Sequence, residues 1–114
     1  MKNNREKTER QLKVEQELLK ITQDFFQREA DRSSMITVTA ADINPSFKNA
    51  TIKISVFPEN KRERALIFAQ RMAGELRTDI KRRLPIRTIP FVDIVIDQGE
   101  IQRQYMDNKF NEIK

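Results

Sequence analysis

The sequence predicts an α+β two-layer sandwich in which a three-stranded sheet carries its helices on one face. Three observations point there. Apolar residues recur at helical spacing over 5–29, 61–72 and 74–84, β-branched residues alternate over 35–43 and 50–56, and a short apolar run follows at 91–96. The 114 residues suit one domain spanning 1–114, with a core at about 5–98.

The first helix rests on Val14, Leu18, Ile21 and Phe25 at offsets of 4, 3 and 4, with Leu12, Leu19 and Phe26 on the adjoining stripe. Asp31, Arg32, Ser33 and Ser34 supply the polar turn that ends it. From Met35 to Ile43, Ile36, Val38 and Ala40 alternate with Thr37 and Thr39, which reads as a strand. Asn44-Pro45-Ser46 turns the chain. Ala50, Ile52, Ile54 and Val56 then alternate with Thr51, Lys53 and Ser55 in a second strand. A parallel pair needs a crossover of a dozen residues or more, so this short connection favours an antiparallel hairpin.

Pro58 and Glu59 stop the second strand, and Asn60 with Glu63 three residues on forms a capping-box pattern for the next helix. Ala65, Leu66, Phe68, Ala69 and Met72 recur at helical spacing, and Leu76, Ile80 and Leu84 continue the period to Pro85. Gly74 interrupts this pattern. A glycine costs about 1 kcal/mol against alanine inside a helix, so a break near 72–74 is permitted. Residues 86–90 are extended by proline restriction, and Phe91 to Ile96 reads as the third strand. From Gly99 onward, Ile101, Tyr105, Phe110 and Ile113 among polar residues allow a C-terminal amphipathic helix over 99–114.

The composition excludes much chemistry. With no Cys and no His there is no thiol nucleophile, no imidazole base and no metal site of the usual zinc or blue-copper ligands. Two glycines cannot build a phosphate-binding loop of the nucleotide enzymes. No cofactor and no metal are expected. Asp93 and Asp97 are the nearest thing to a carboxylate pair, but strand rise sets them about 13 Å apart, too far for paired acid–base work. The charged start has no apolar signal region and no run is long enough to span a membrane, so the expectation is a soluble cytoplasmic protein without membrane contact.

The net charge of +5 is unevenly placed. Residues 1–60 carry 10 basic and 9 acidic side chains, residues 88–114 carry 3 and 5, and residues 61–87 carry 9 and 3, a local excess of +6. The excess therefore sits on the broken helix pair and the turn after it, and seven of its nine bases are arginine. Guanidinium forks match phosphate oxygens and stack on bases, which favours nucleic acid over small acidic metabolites. A helix start following a glycine adds unpaired N–H groups and a positive dipole end. The alternative is a pair of solvated amphipathic faces, although such faces normally mix both signs.

The element order with a kinked basic helix pair resembles the type II KH domain, and the details resemble the ribosome-binding factor A family of bacterial small-subunit assembly factors. The residues that carry the resemblance are Phe26-Gln27-Arg28-Glu29, Ile36-Thr37-Val38-Thr39, Ala50 to Val56, Met72-Ala73-Gly74-Glu75-Leu76-Arg77, and Leu84 to Pro90 before Phe91-Val92-Asp93-Ile94. KH domains clamp nucleotides with a G-x-x-G loop. This family resembles them with an interrupted helix of Ala-x-Gly pattern in that place, where Gly74 matches the glycine and Met72 stands in the position of the alanine. A side chain of that size can pack inward.

The resemblance implies a non-enzymatic protein, a monomer when unbound, that binds 16S rRNA on the immature, free 30S subunit and assists late maturation, including rRNA processing. The expected RNA contacts are Arg77, Lys81 and Arg87 at the centre, with Lys61, Arg64, Arg71, Arg82 and Arg83 adding attraction around the kink Met72-Ala73-Gly74. A second reading from the same charge is a protein interaction module whose basic helices meet an acidic protein partner.

Overall fold

In the computed structural model, residues 7–29 and 35–99 are described. The chain runs α1 (Glu9–Glu29), β1 (Met35–Ile43), β2 (Asn49–Phe57), a 3-10 turn (Glu59–Lys61), α2 (Arg62–Arg71), α3 (Ala73–Arg83) and β3 (Phe91–Ile96). This is the α+β order expected from the periodicities. The polar turn at 31–34 and the amphipathic stretch at 100–114 lie outside the described residues.

The start of α1 is fixed by a reciprocal cap. The Gln11 N–H donates to Thr8 Oγ1 at 3.1 Å, and the Thr8 N–H donates to Gln11 Oε1 at 3.1 Å. Val14, Leu18, Ile21, Phe25 and Phe26 are buried, and the two Phe rings meet edge to face at 5.1 Å between centroids. Leu12 departs from the expected stripe: it is 48% exposed, because the buried arc in this turn is taken by Gln11, Val14 and Glu15.

The hairpin is antiparallel, with Met35 opposite Phe57 and Ile43 opposite Ala50. Its register shifts between Val38 and Ala40. This bulge at Thr39 corrects the simple alternation read from the sequence: Val38 faces the core, but beyond the extra residue it is Ala41 and Ile43 that do so, and Ala40 does not. In the connecting turn, Asn44 Oδ1 accepts the N–H groups of Lys48 and Asn49 at 3.1 and 3.0 Å, and Phe47 takes a left-handed φ of 63°.

β3 lies parallel to β2 on the side away from β1, giving the order β1-β2-β3. The two-helix crossover between them is what a parallel pair requires. Ala50, Ile52, Ile54 and Val56 of β2 and Ile94 of β3 form the buried floor, onto which Leu18, Ile21, Phe25, Ala65, Ala69, Leu76, Ile80 and Leu84 pack. Each fully buried Ile, Leu or Phe there contributes roughly 1.5–3 kcal/mol.

Helical side chains also cover both sheet edges. Glu15 accepts the Ile43 N–H at 2.8 Å and Gln23 donates to the Val38 carbonyl at 3.4 Å on the β1 side. On the β3 side, Gln70 donates to the Ile94 carbonyl at 3.1 Å. Such cover blunts an edge that would otherwise invite pairing with another strand.

Candidate nucleic-acid interface

The site is built on the join between α2 and α3. Ala65 and Ala69 are the buried residues of α2, small enough to bring that helix close to the sheet. The expected cap at its start is not formed: Asn60 falls inside the 3-10 turn, the cap position is Lys61, and no side chain caps it. The sequence signature and the helix start are therefore out of step by one residue.

The break falls on one residue. Met72 sits at φ −84°, ψ 0°, outside the helical basin, and its N–H is shared between the Phe68 and Ala69 carbonyls at 3.2 and 3.1 Å. The Leu76 N–H closes the first turn of α3 onto the Met72 carbonyl at 2.9 Å. The Met72 side chain packs partly buried against the core, the inward placement its size allowed. Among the described residues no side chain caps the α3 N-terminus.

Gly74 lies in the first turn of α3 and is exposed. Its φ is not left-handed, and a Cβ built there would meet nothing within 4 Å. Neither backbone conformation nor packing within the described chain requires glycine at this position.

The nine cations of residues 61–87 divide into two groups. The first is held by the fold. Asp79 is buried between Arg28, at 2.7 Å, and Arg82, while Arg83 pairs with Asp24 at 3.1 Å and Arg62 with Glu59 at 3.5 Å. The hydrogen bond to Asp79 is the chief cause raising the Arg28 pKa above its ordinary value, so this guanidinium is charged at any working pH.

Arg77 also belongs to the first group, although the sequence singled it out as a central contact. Its Nε donates to the Pro90 carbonyl at 3.0 Å and its Nη2 to the Ile89 carbonyl at 3.2 Å, with the guanidinium 4.5 Å from the Phe91 ring centroid. No spacing rule reveals this. The clamp arises because α3 and the extended 86–90 segment meet only in the folded sandwich.

The second group is Lys61, Arg64, Arg71, Lys81 and Arg87, none of which has an ion pair with a described residue. Arg64 and Arg71 are seven residues apart, two turns or about 10 Å along one side of α2. They border a shallow depression completed by Glu63, Ile67 and Phe68. Gly74, Thr78 and Lys81 continue an exposed stripe along α3, where Thr78 folds its hydroxyl back onto the Gly74 carbonyl at 3.2 Å. Arginines, an uncapped helix start, a side-chain-free residue and a lysine thus follow one another across the break, a surface suited to a chain of phosphates.

Among the described residues no cluster of acids could hold a metal ion, and no helix is long and apolar enough to cross a membrane. Asp97 lies just past β3, where its Oδ2 accepts the Thr39 hydroxyl at 2.6 Å, and Asp93 is exposed. The two acids share no reaction centre.

The family model described as ribosome-binding factor A matches residues 10–110. The chain belongs to the ribosome-binding factor A family. A ribosome-binding factor A of Natranaerobius thermophilus is 27% identical over 93 residues, covering 79% of this chain and 71% of the relative. The crystal structure of ribosome-binding factor A from Thermus thermophilus superposes with a TM-score of 0.66 at 21% identity, covering 74% of this chain and 92% of that one. A homology model of Thermus thermophilus ribosome-binding factor A, fitted into the cryo-EM map of a 30S complex, gives a TM-score of 0.65 at 19% identity, covering 75% of this chain and 93% of that one. These likenesses establish that the sandwich described above is the fold of the ribosome-binding factor A structures.

Proposed function

We propose that this chain is a non-enzymatic assembly factor that binds the immature 30S subunit through 16S rRNA and assists its late maturation, including rRNA processing. The whole chain acts as one type II KH-like domain, monomeric when unbound and working in the cytoplasm. The observation that carries this reading is the line of cations without an ion pair among the described residues, Arg64 and Arg71 on α2 and Lys81 on α3, flanking the exposed Gly74 at the start of α3, which no described side chain caps. Family membership supports it, as does the 30S complex of the Thermus relative.

Within that surface the contacts proposed are Lys61, Arg64, Arg71, Lys81 and Arg87, with the Ala73 and Gly74 backbone at the kink. Arg82 and Arg83 contribute field rather than direct contact, because Asp79 and Asp24 hold them. Arg77 acts at one remove, fixing the segment that leads into β3. Each step on RNA is binding and positioning, with no covalent bond made or broken.

Crosslinking the protein to 30S precursors and mapping the linked RNA positions tests the reading. Enrichment of 16S sequences over bulk RNA, with links lost in an Arg71→Glu, Lys81→Glu chain, is the expected result. A partner retained in pull-downs after nuclease digestion, with no 16S enrichment, would instead favour an acidic protein partner.

A further inference from the structure

We infer that Phe91 is a stacking platform for one unpaired RNA base, held from beneath by Arg77. The inference rests on the RNA-binding reading above and assigns that surface a contact with a base, beyond its contacts with phosphates.

Phe91 is 66% exposed at the head of the edge strand β3. Three phenylalanines carry a guanidinium over the ring: Phe25 under Arg28, Phe47 under Arg10 and Phe91 under Arg77. Phe25 is buried and Phe47 is partly buried against the core, so among these three only Phe91 presents its ring to solvent. The other large exposed apolar residues, Leu12, Met35, Phe57 and Ile67, have no such support among the described residues.

The ring is fixed from two directions. Its own N–H donates to the Lys48 carbonyl at 2.9 Å, which pins the strand start beside the hairpin turn. The guanidinium 4.5 Å from its centroid is itself tied to the Ile89 and Pro90 carbonyls. One face of the ring therefore rests on a cation that cannot swing away without losing two hydrogen bonds, and the ordering that a stacking partner normally has to impose is already present in the fold.

A planar, immobilised aromatic surface with the exposed cations Lys48 and Arg87 in the adjoining loops matches a nucleobase attached to a phosphate backbone. Bases inside a duplex stack on each other and have no free face. The ligand is accordingly single-stranded RNA or a looped-out base, with little preference for its identity, since every base has a π face.

The chain contains no Trp, so Phe91→Trp places its sole indole at the proposed contact. The full chain carrying this change is titrated with a single-stranded polyadenylate oligonucleotide and with a duplex of the same length, and affinities are measured alongside Phe91→Ala, Phe91→Leu and Lys81→Glu chains. The expected result is indole quenching by the single strand but not the duplex, near-parental affinity for Phe91→Trp, and a loss of about 5- to 100-fold for both Phe91→Ala and Phe91→Leu. The leucine variant keeps apolar bulk at the site, so a loss shared by both reports stacking rather than unfolding. Affinity of Phe91→Leu within about twofold of the parent, with Lys81→Glu weakened, would overturn the stack while leaving the cationic surface in place. If Lys81→Glu also binds as the parent does, the RNA-binding reading itself fails and the stack with it.

Discussion

Arg77 reaches from α3 to the Pro90 carbonyl, a hydrogen bond of 3.0 Å that ties the second helix of the broken pair to the residue before β3. A second bond to the Ile89 carbonyl makes the guanidinium a two-pronged clamp. The extended 86–90 segment has no sheet partner, so its carbonyls depend on such donors. A lysine offers a point charge without the fork. Arg77→Lys is expected to lower stability by about 1–3 kcal/mol, read as a drop of several degrees in the thermal midpoint. An unchanged midpoint would show that water replaces the guanidinium at no cost.

Gly74 gives a prediction in which stability and binding move in opposite directions. A Cβ at this position meets nothing within 4 Å, and alanine restricts the unfolded chain more than glycine does. Gly74→Ala should stabilise the free protein by about 0.5 kcal/mol in urea unfolding. In the proposed complex with the 30S subunit the same methyl would stand between the backbone and a phosphate. Loss of one charge-assisted contact corresponds to about a tenfold lower affinity. Stabilisation with no loss of affinity would remove the kink backbone from the interface.

The far end of α1 responds to alkali. Lys7 bonds the Glu15 carboxylate at 2.5 Å and Asp42 at 3.0 Å, and the Glu15 hydrogen bond is the main cause raising its pKa above the ordinary 10.5. The folded state therefore holds this proton more tightly than the unfolded state. The resulting stability is fully present below the unfolded pKa and disappears as pH rises through the folded one. The difference in thermal midpoint between the parent and Lys7→Met should be constant from neutral pH to about 10 and shrink above it. A difference that persists undiminished at higher pH would assign the contribution to packing of the lysine stem.

Much of this architecture is legible in the sequence because its periodicities are local. Val14, Leu18, Ile21 and Phe25 mark the buried side of α1, and the strand at Met35–Ile43 and the helix break at Met72 fall where the patterns change. Features that depend on meeting in space are not legible. The bulge at Thr39 is stabilised across the sheet, where its hydroxyl bonds Asp97, 58 residues away. The capping box that forms, Thr8 with Gln11, is hidden by the charged run before α1, whereas Asn60 with Glu63 has the right spacing and forms none. Local charge singles out residues 61–87 as the candidate segment, but which of its cations are already held by Asp79, Asp24 or backbone carbonyls is decided by the tertiary structure.

The central claim is that the unpaired cations across the α2–α3 break dock on 16S rRNA, and co-sedimentation with 30S subunits over a range of salt tests it most directly. About five phosphate contacts predict a slope of log affinity against log salt near −4, falling in magnitude by about 0.7–0.9 for each cation removed. Arg71→Glu with Lys81→Glu should abolish co-sedimentation at moderate salt while the thermal midpoint falls by no more than a few degrees, since neither residue pairs within the described fold and each loses only a favourable place in a helix last turn. Parental affinity and an unchanged salt slope in that double variant would contradict the account.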